Sequence, residues 1–92
     1  MAPTAPAAPT EPGRALARAL DRALEAVVQR TRLSAREASV LRLFAMGYHH
    51  PEIGRELGIS PRTVKMHAAS LRNKTGTRSR SGLVRLLFAA GA

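Results

Sequence analysis

Residues 60–76, SPRTVKMHAASLRNKTG, hold the side-chain types best suited to binding an anion or the edge of a base. At about 100° per residue, Arg62, Met66, Ala69 and Asn73 fall on one face of a helix, flanked by Lys65 and Ser70. This face is mostly small, cationic or hydrogen-bonding. The major groove of duplex DNA admits an α-helix, and its base edges and phosphates accept such a surface. Val64, His67, Ala68 and Leu71 recur on the opposite side, which is expected to pack against a core. His67 is therefore expected to be a packing residue. Ser60 is a good cap, Pro61 suits a first helical position, and Gly76 allows a left-handed stop.

No other chemistry has comparable support. There is no paired-carboxylate arrangement, no Ser/His/Asp set and no glycine-rich phosphate loop, so an enzyme reading has no basis. His49 and His50 are adjacent, so their side chains point apart, and no carboxylate or cysteine cluster completes a metal site. They are expected to meet phosphate or solvent. No cofactor is implied.

The element that must position this helix lies just upstream. Pro51-Glu52-Ile53-Gly54-Arg55-Glu56-Leu57 reads as a two-turn helix, and Gly58-Ile59 as the turn into Ser60. A short helix, a turn with glycine and a longer helix make the helix-turn-helix pattern. With these residues the chain resembles the DNA-binding domain of LuxR/GerE-type regulators, also found at the end of NarL-type response regulators. The matching positions are Leu33-Ser34-Ala35-Arg36-Glu37 with Val40-Leu41, Ala45-Met46-Gly47, Glu52-Ile53, Leu57-Gly58-Ile59-Ser60, Thr63-Val64-Lys65 with His67, and Lys74-Thr75-Gly76. They keep the family's spacing without a gap, and the resemblance runs from about Leu33 to Gly91.

The resemblance implies an all-α, four-helix LuxR-type bundle and base contacts at the positions of Lys65, Met66 and Ala69. Lys65 suits guanine O6/N7 or an adjacent phosphate, and Met66 suits a thymine methyl. Ala69 stands where relatives often carry a long polar residue, which implies weaker or shifted discrimination at that step. Ser60, Arg62, Thr63, Asn73, Lys74 and Arg78 are candidates for phosphate contact, which positions without specifying. In the family the fourth helix makes the dimer contact on DNA, which points to Leu86 or Phe88. A fully internal fourth helix is the other reading. Two departures stand out. His50 occupies the expected cap position of the second helix, and Gly54 replaces the usual alanine. Glycine inside a helix costs about 0.5–1 kcal/mol relative to alanine, which close approach of the recognition helix would offset.

The remaining elements follow from caps and periodicity. Ser34 and Glu37 have the spacing of a capping box for a helix whose stripe is Val40, Leu41, Phe44 and Ala45 and which ends at Gly47. Arg78-Ser79-Arg80-Ser81 is a cationic connector, and Ser79 or Ser81 can cap a last helix containing Leu83, Val84, Leu86, Leu87 and Phe88. Residues 1–12 are rich in Ala and Pro and read as a disordered tail. Residues 13–32 read as an additional amphipathic helix, with Leu16, Leu20, Leu24 and Val27 on one stripe. That stripe must be buried. Packing onto the domain (residues 33–92) and self-association of two copies through Leu16, Leu20 and Leu24 both remain open.

Composition bounds these readings. Ninety-two residues allow one small domain. The net charge is +9, and residues 34–92 carry ten Lys/Arg against three Glu, hence +7. A basic domain attracts polyanions by counterion release. There is no cysteine, the apolar runs are short and interrupted by arginine, and MAPTAPAAP lacks the blocks of a signal peptide. The expectation is a cytoplasmic protein without membrane contact. The residues given upstream of the domain are too few for a receiver sheet, so no receiver domain is expected within them. The leading expectation is a sequence-specific regulator of transcription, a homodimer on inverted repeats of double-stranded DNA. The alternative is a protein-interaction module contacting RNA polymerase, a sigma factor or a sister regulator, with weak DNA binding.

Overall fold

The computed structural model describes residues 11–90. They form five helices: α1 (Glu11–Thr31), α2 (Ala35–Ala45), α3 (His50–Leu57), α4 (Pro61–Thr75) and α5 (Arg80–Ala90). No strand occurs among the described residues, in agreement with the all-α expectation. Most of the expected tail, residues 1–10, lies outside the described residues, as does Gly91. α1 begins at Glu11 rather than residue 13, because Pro12 in a first turn forfeits no hydrogen bond.

The expected caps explain where the helices start. Ser34 Oγ accepts the Glu37 amide at 3.0 Å, while Glu37 Oε1 accepts the Ser34 amide at 2.7 Å, completing the capping box. Ser60 Oγ accepts the Thr63 amide at 3.1 Å, and Ser79 Oγ accepts the Gly82 amide at 3.0 Å. Of the two serines considered for α5, Ser79 is therefore the cap, and Ser81 falls inside the helix. One start is displaced from expectation. His49, not His50, caps α3, and its amide donates to Glu52 Oε1 at 3.0 Å. Pro51 consequently sits at the second helical position, still within the turn where its missing N–H is harmless.

The first four helices end alike. Leu33, Tyr48, Ile59 and Thr77 each donate a backbone N–H to the carbonyl five residues back. The residue before each donor is left-handed: Gly47, Gly58 and Gly76 at three ends, but Arg32 (φ 56°) at the end of α1. This is the Schellman arrangement. A non-glycine residue there costs about 1–2 kcal/mol, a strain the packing of α1 must outweigh.

Val40, Leu41, Phe44, Ile53, Val64, Ala68, Leu71, Leu83 and Leu87 fill the core, joined by Ala23 and Val27 of α1. α1 lies across α5 and α2, with Leu20, Leu24 and Val28 packed partly against that core. Asp21 of α1 also pairs with Arg42 of α2. The apolar stripe of α1 thus packs on its own domain, with Val27 buried and Leu20 and Leu24 half-buried, while Leu16 is exposed. Full burial of one Val or Leu side chain contributes about 1.5–3 kcal/mol, so α1 is an integral part of the fold. No helix among the described residues is long and apolar enough to cross a membrane.

Candidate nucleic-acid interface

α4 has two chemically distinct sides. Val64, Ala68 and Leu71 are fully buried against α2 and α3. Arg62, Lys65, Met66, Ala69 and Asn73 are exposed, Met66 by 66%. The three base-contact candidates, Lys65, Met66 and Ala69, therefore share one open surface. Ser60, Arg62 and Thr63 stand at its N-terminal end and Asn73 at its C-terminal end. Ser60 and Thr63 hydroxyls pair at 2.9 Å, which fixes their rotamers at the helix start. Arg78 is exposed on the α4–α5 connector. His67 is half-buried beside the core.

Lys74 stands apart from the other phosphate candidates. Its ammonium donates to Glu37 Oε1 at 2.7 Å and to the Arg32 carbonyl at 3.2 Å. Glu37 is 4% exposed, and its Oε2 accepts the Ser70 hydroxyl at 2.5 Å. Burial disfavours the charged carboxylate, yet the Lys74 ammonium, the Ser34 amide and the Ser70 and Ser34 hydroxyls outweigh it. Together they hold the Glu37 pKa at about 2. This cluster ties the start of α2 to the C-terminal half of α4 and sets how the recognition helix is presented.

The other end of α4 is set by α3. Gly54 is buried, and a Cβ built on it would lie 2.6 Å from the Ile59 carbonyl oxygen. The missing methyl lets the turn Gly58–Ser60 close directly over α3. The expected approach of α4 is thus made mainly by the turn that leads into it, with Pro61 N, at the first residue of α4, 3.4 Å from the same point.

Beside Lys65 the surface drops into a cleft of about 520 Å³. Phe44, His49, His50, Pro51, Pro61, Arg72 and Arg80 line it with Lys65. Arg80 donates to the Phe44 carbonyl at 3.1 Å and to His49 Nδ1 at 2.9 Å, and its guanidinium stacks 5.1 Å over the Phe44 ring. His50 also lies against Phe44, with ring centroids 5.6 Å apart and the rings tilted by 43°. Burial, then the charges of Lys65, Arg72, Arg80 and His49, push the His50 pKa below the usual histidine value.

Sequence reasoning singled out neither Arg72 nor this role for Arg80 and Glu37. Arg72 did carry a signal, because it lies seven residues from Lys65 and so on the same side of α4. Of the self-association candidates, Leu20, Leu24 and Leu86 are half-buried in the fold, whereas Leu16 (67%) and Phe88 (61%) are exposed. These two line a small apolar hollow of about 200 Å³ with Leu20, Ala45 and Met46.

Comparison with known proteins points the same way. The family model described as bacterial regulatory proteins, luxR family, matches residues 31–87. The chain is 38% identical over 66 residues to the HTH-type transcriptional activator RamA of Corynebacterium glutamicum, which covers 72% of this chain and 24% of that protein. It is 41% identical over 56 residues to the transcriptional regulatory protein UhpA of Escherichia coli, covering 61% of this chain and 29% of that protein. The chain thus spans roughly a quarter of the length of these relatives. No solved structure matches it significantly.

Proposed function

The chain belongs to the luxR family of bacterial regulatory proteins, and on that premise we propose that it binds duplex DNA through α4 and regulates transcription. The observation that carries this reading is the exposed face of Arg62, Lys65, Met66, Ala69 and Asn73 on a helix held by α2 and α3. Lys65 donates to guanine or the adjacent phosphate, Met66 packs on a thymine methyl, and Ala69 admits a base step with little discrimination. Ser60, Arg62, Thr63, Asn73 and Arg78 hold phosphates on either side. Lys74 has its first engagement with Glu37 and lends its charge to the same surface.

The working form is a homodimer on inverted half-sites about 10 bp apart, with Phe88 of α5 toward the second protomer and Leu16 beside it. A second reading, a module that contacts RNA polymerase or a sister regulator, draws on the same apolar patch of Leu16, Met46 and Phe88. Selection from a random duplex pool at physiological salt separates the two. An enriched inverted repeat supports DNA readout by a dimer; no enrichment favours the protein-contact reading. On the selected site, Lys65→Ala is expected to weaken binding by about 1–3 kcal/mol. Unchanged affinity in that variant would remove α4 as the reading surface.

A further inference from the structure

The cleft beside α4 has a composition that base reading does not account for. Lys65 and Arg72 enter it from α4 and Arg80 from the start of α5, while no carboxylate lines it. The nearby acid of α3, Glu52, is engaged with the His49 amide. Resting on the DNA-binding reading above, we propose that this cleft seats one backbone phosphate of the bound duplex, outside the major groove that α4 reads. Lys65 belongs to both surfaces, so the cleft is continuous with the base-reading face. A helix lodged in a groove about 12 Å wide has the two sugar-phosphate strands along its flanks, and the cleft occupies one of those flanks.

The seat is built before the ligand arrives. Arg80 is fixed by the Phe44 carbonyl, the His49 ring nitrogen and the Phe44 ring, so little rotamer freedom is lost on binding. A guanidinium carries five N–H donors, and these two hydrogen bonds leave others for a phosphate oxygen. The N-terminus of α3, where His50 and Pro51 line the cleft, adds the positive end of a helix dipole.

A phosphate in this seat changes the chemistry of His50. In the free protein Lys65 and Arg72 of α4, Arg80 of α5 and His49 before α3 all repel a proton on the half-buried ring. A seated phosphate offsets those charges, so the ring takes up a proton more readily in the complex than in the free chain. By linkage, binding tightens as pH falls. Affinity is flat above the bound-state value, rises by up to about tenfold per pH unit for one proton, and levels off below the lowered free-state value.

The test measures duplex affinity by fluorescence anisotropy against salt and pH, for the wild type, Arg72→Gln, His50→Gln and, as a control, His67→Gln, with thermal melting to verify each fold. Arg72→Gln is expected to reduce the salt slope by about 0.9 and to weaken preferred and scrambled duplexes by the same factor. His50→Gln is expected to flatten the pH dependence between pH 7.5 and 5.5, roughly the ordinary histidine range, while His67→Gln retains it. An unchanged slope in Arg72→Gln, with wild-type binding intact, overturns the phosphate seat and leaves the DNA reading standing. Saturable binding of orthophosphate at His50 with that unchanged slope would assign the cleft to a free anion and also overturn the proposal. A wild-type chain that retains no duplex at any pH brings down the DNA reading and this inference together.

Discussion

Glu37→Ala is expected to lower the stability of the domain by about 3 kcal/mol, which in a domain of this size moves the melting midpoint down by roughly 12–24 °C. Several losses combine in that figure. The helix α2 loses the returning half of its capping box, because the Ser34 amide no longer has Glu37 Oε1 as acceptor. The Ser70 hydroxyl and the Lys74 ammonium lose a buried anionic partner, and hydrogen bonds to a charged group contribute about 1.5–3 kcal/mol each. Lys74 remains 40% exposed and can return to water, which keeps the total below that of a fully buried pair. The same carboxylate contributes to the acid sensitivity of the fold. Its pKa falls from 4.5 to about 2 on folding, so its contribution is complete above the unfolded value and is lost as pH drops through the folded one. The wild-type midpoint should decline between pH 4.5 and 2, and Glu37→Ala should remove that component of the decline. Thermal unfolding followed by circular dichroism across this range checks both. A midpoint shift of under about 4 °C, or 1 kcal/mol, would mean that the cluster does not hold α2 to α4.

The consequences for binding follow from where the cluster sits. Ser70 and Lys74 continue the i, i+4 row of Arg62 and Met66 on α4, on the flank away from Lys65 and Arg72, so Glu37 sits at the margin of the proposed DNA-reading face and acts on it by holding Ser70 and Lys74. This gives Lys74 a role that residue type alone does not reveal. A lysine near the end of a basic recognition helix reads as a phosphate ligand, because its pairing partner lies 37 residues earlier in the chain.

The same division separates what was legible in the sequence from what was not. Helix starts at Ser34 and Ser60 and the stop at Gly76 were readable because capping chemistry is local: donor, acceptor and left-handed residue lie within five positions. The exposed and buried sides of α4 were readable because 3.6-residue periodicity converts spacing directly into direction. Arg32 gave no such signal. It takes the left-handed position that glycine fills at the next three helix ends, and its carbonyl is held there by Lys74, 42 residues further on. The burial of the α1 stripe was equally hidden, since an amphipathic face shows that it needs a partner but not which one. The cleft required Arg72 of α4 and Arg80 of α5 to meet Phe44 of α2 and the histidines at the start of α3. No spacing rule within one helix encodes that meeting.

Gly54→Ala reverses the sign that local propensity would give. In an unconstrained helix the alanine would gain about 0.5–1 kcal/mol. At this position the new Cβ would lie 2.6 Å from the Ile59 carbonyl oxygen and 3.4 Å from the Pro61 nitrogen. Both neighbours are backbone, so neither can rotate away, and Ile59 is itself tied to α3 by its N–H bond to the Gly54 carbonyl at 2.9 Å. The turn must lift, and α4 must tilt with it. Overpacking of this kind costs about 1–3 kcal/mol, occasionally more, and the backbone contact places it toward the upper end. A net loss of about 2 kcal/mol is expected, with a midpoint roughly 8–16 °C lower. Gly54→Val, with two further carbons at the contact, should lose more. Because the tilt moves Lys65 and Met66 relative to base edges, affinity for a selected duplex should fall more than affinity for a scrambled one. Gly58→Ala provides the contrast. Its Cβ would meet nothing within 4 Å, and its cost arises only from a φ of 68°, about 1–2 kcal/mol. That variant should melt earlier yet keep the ratio of specific to non-specific binding. If Gly54→Ala instead melts later than the wild type and preserves that ratio, the α3–α4 contact is looser than these distances require, and helix propensity alone governs the position.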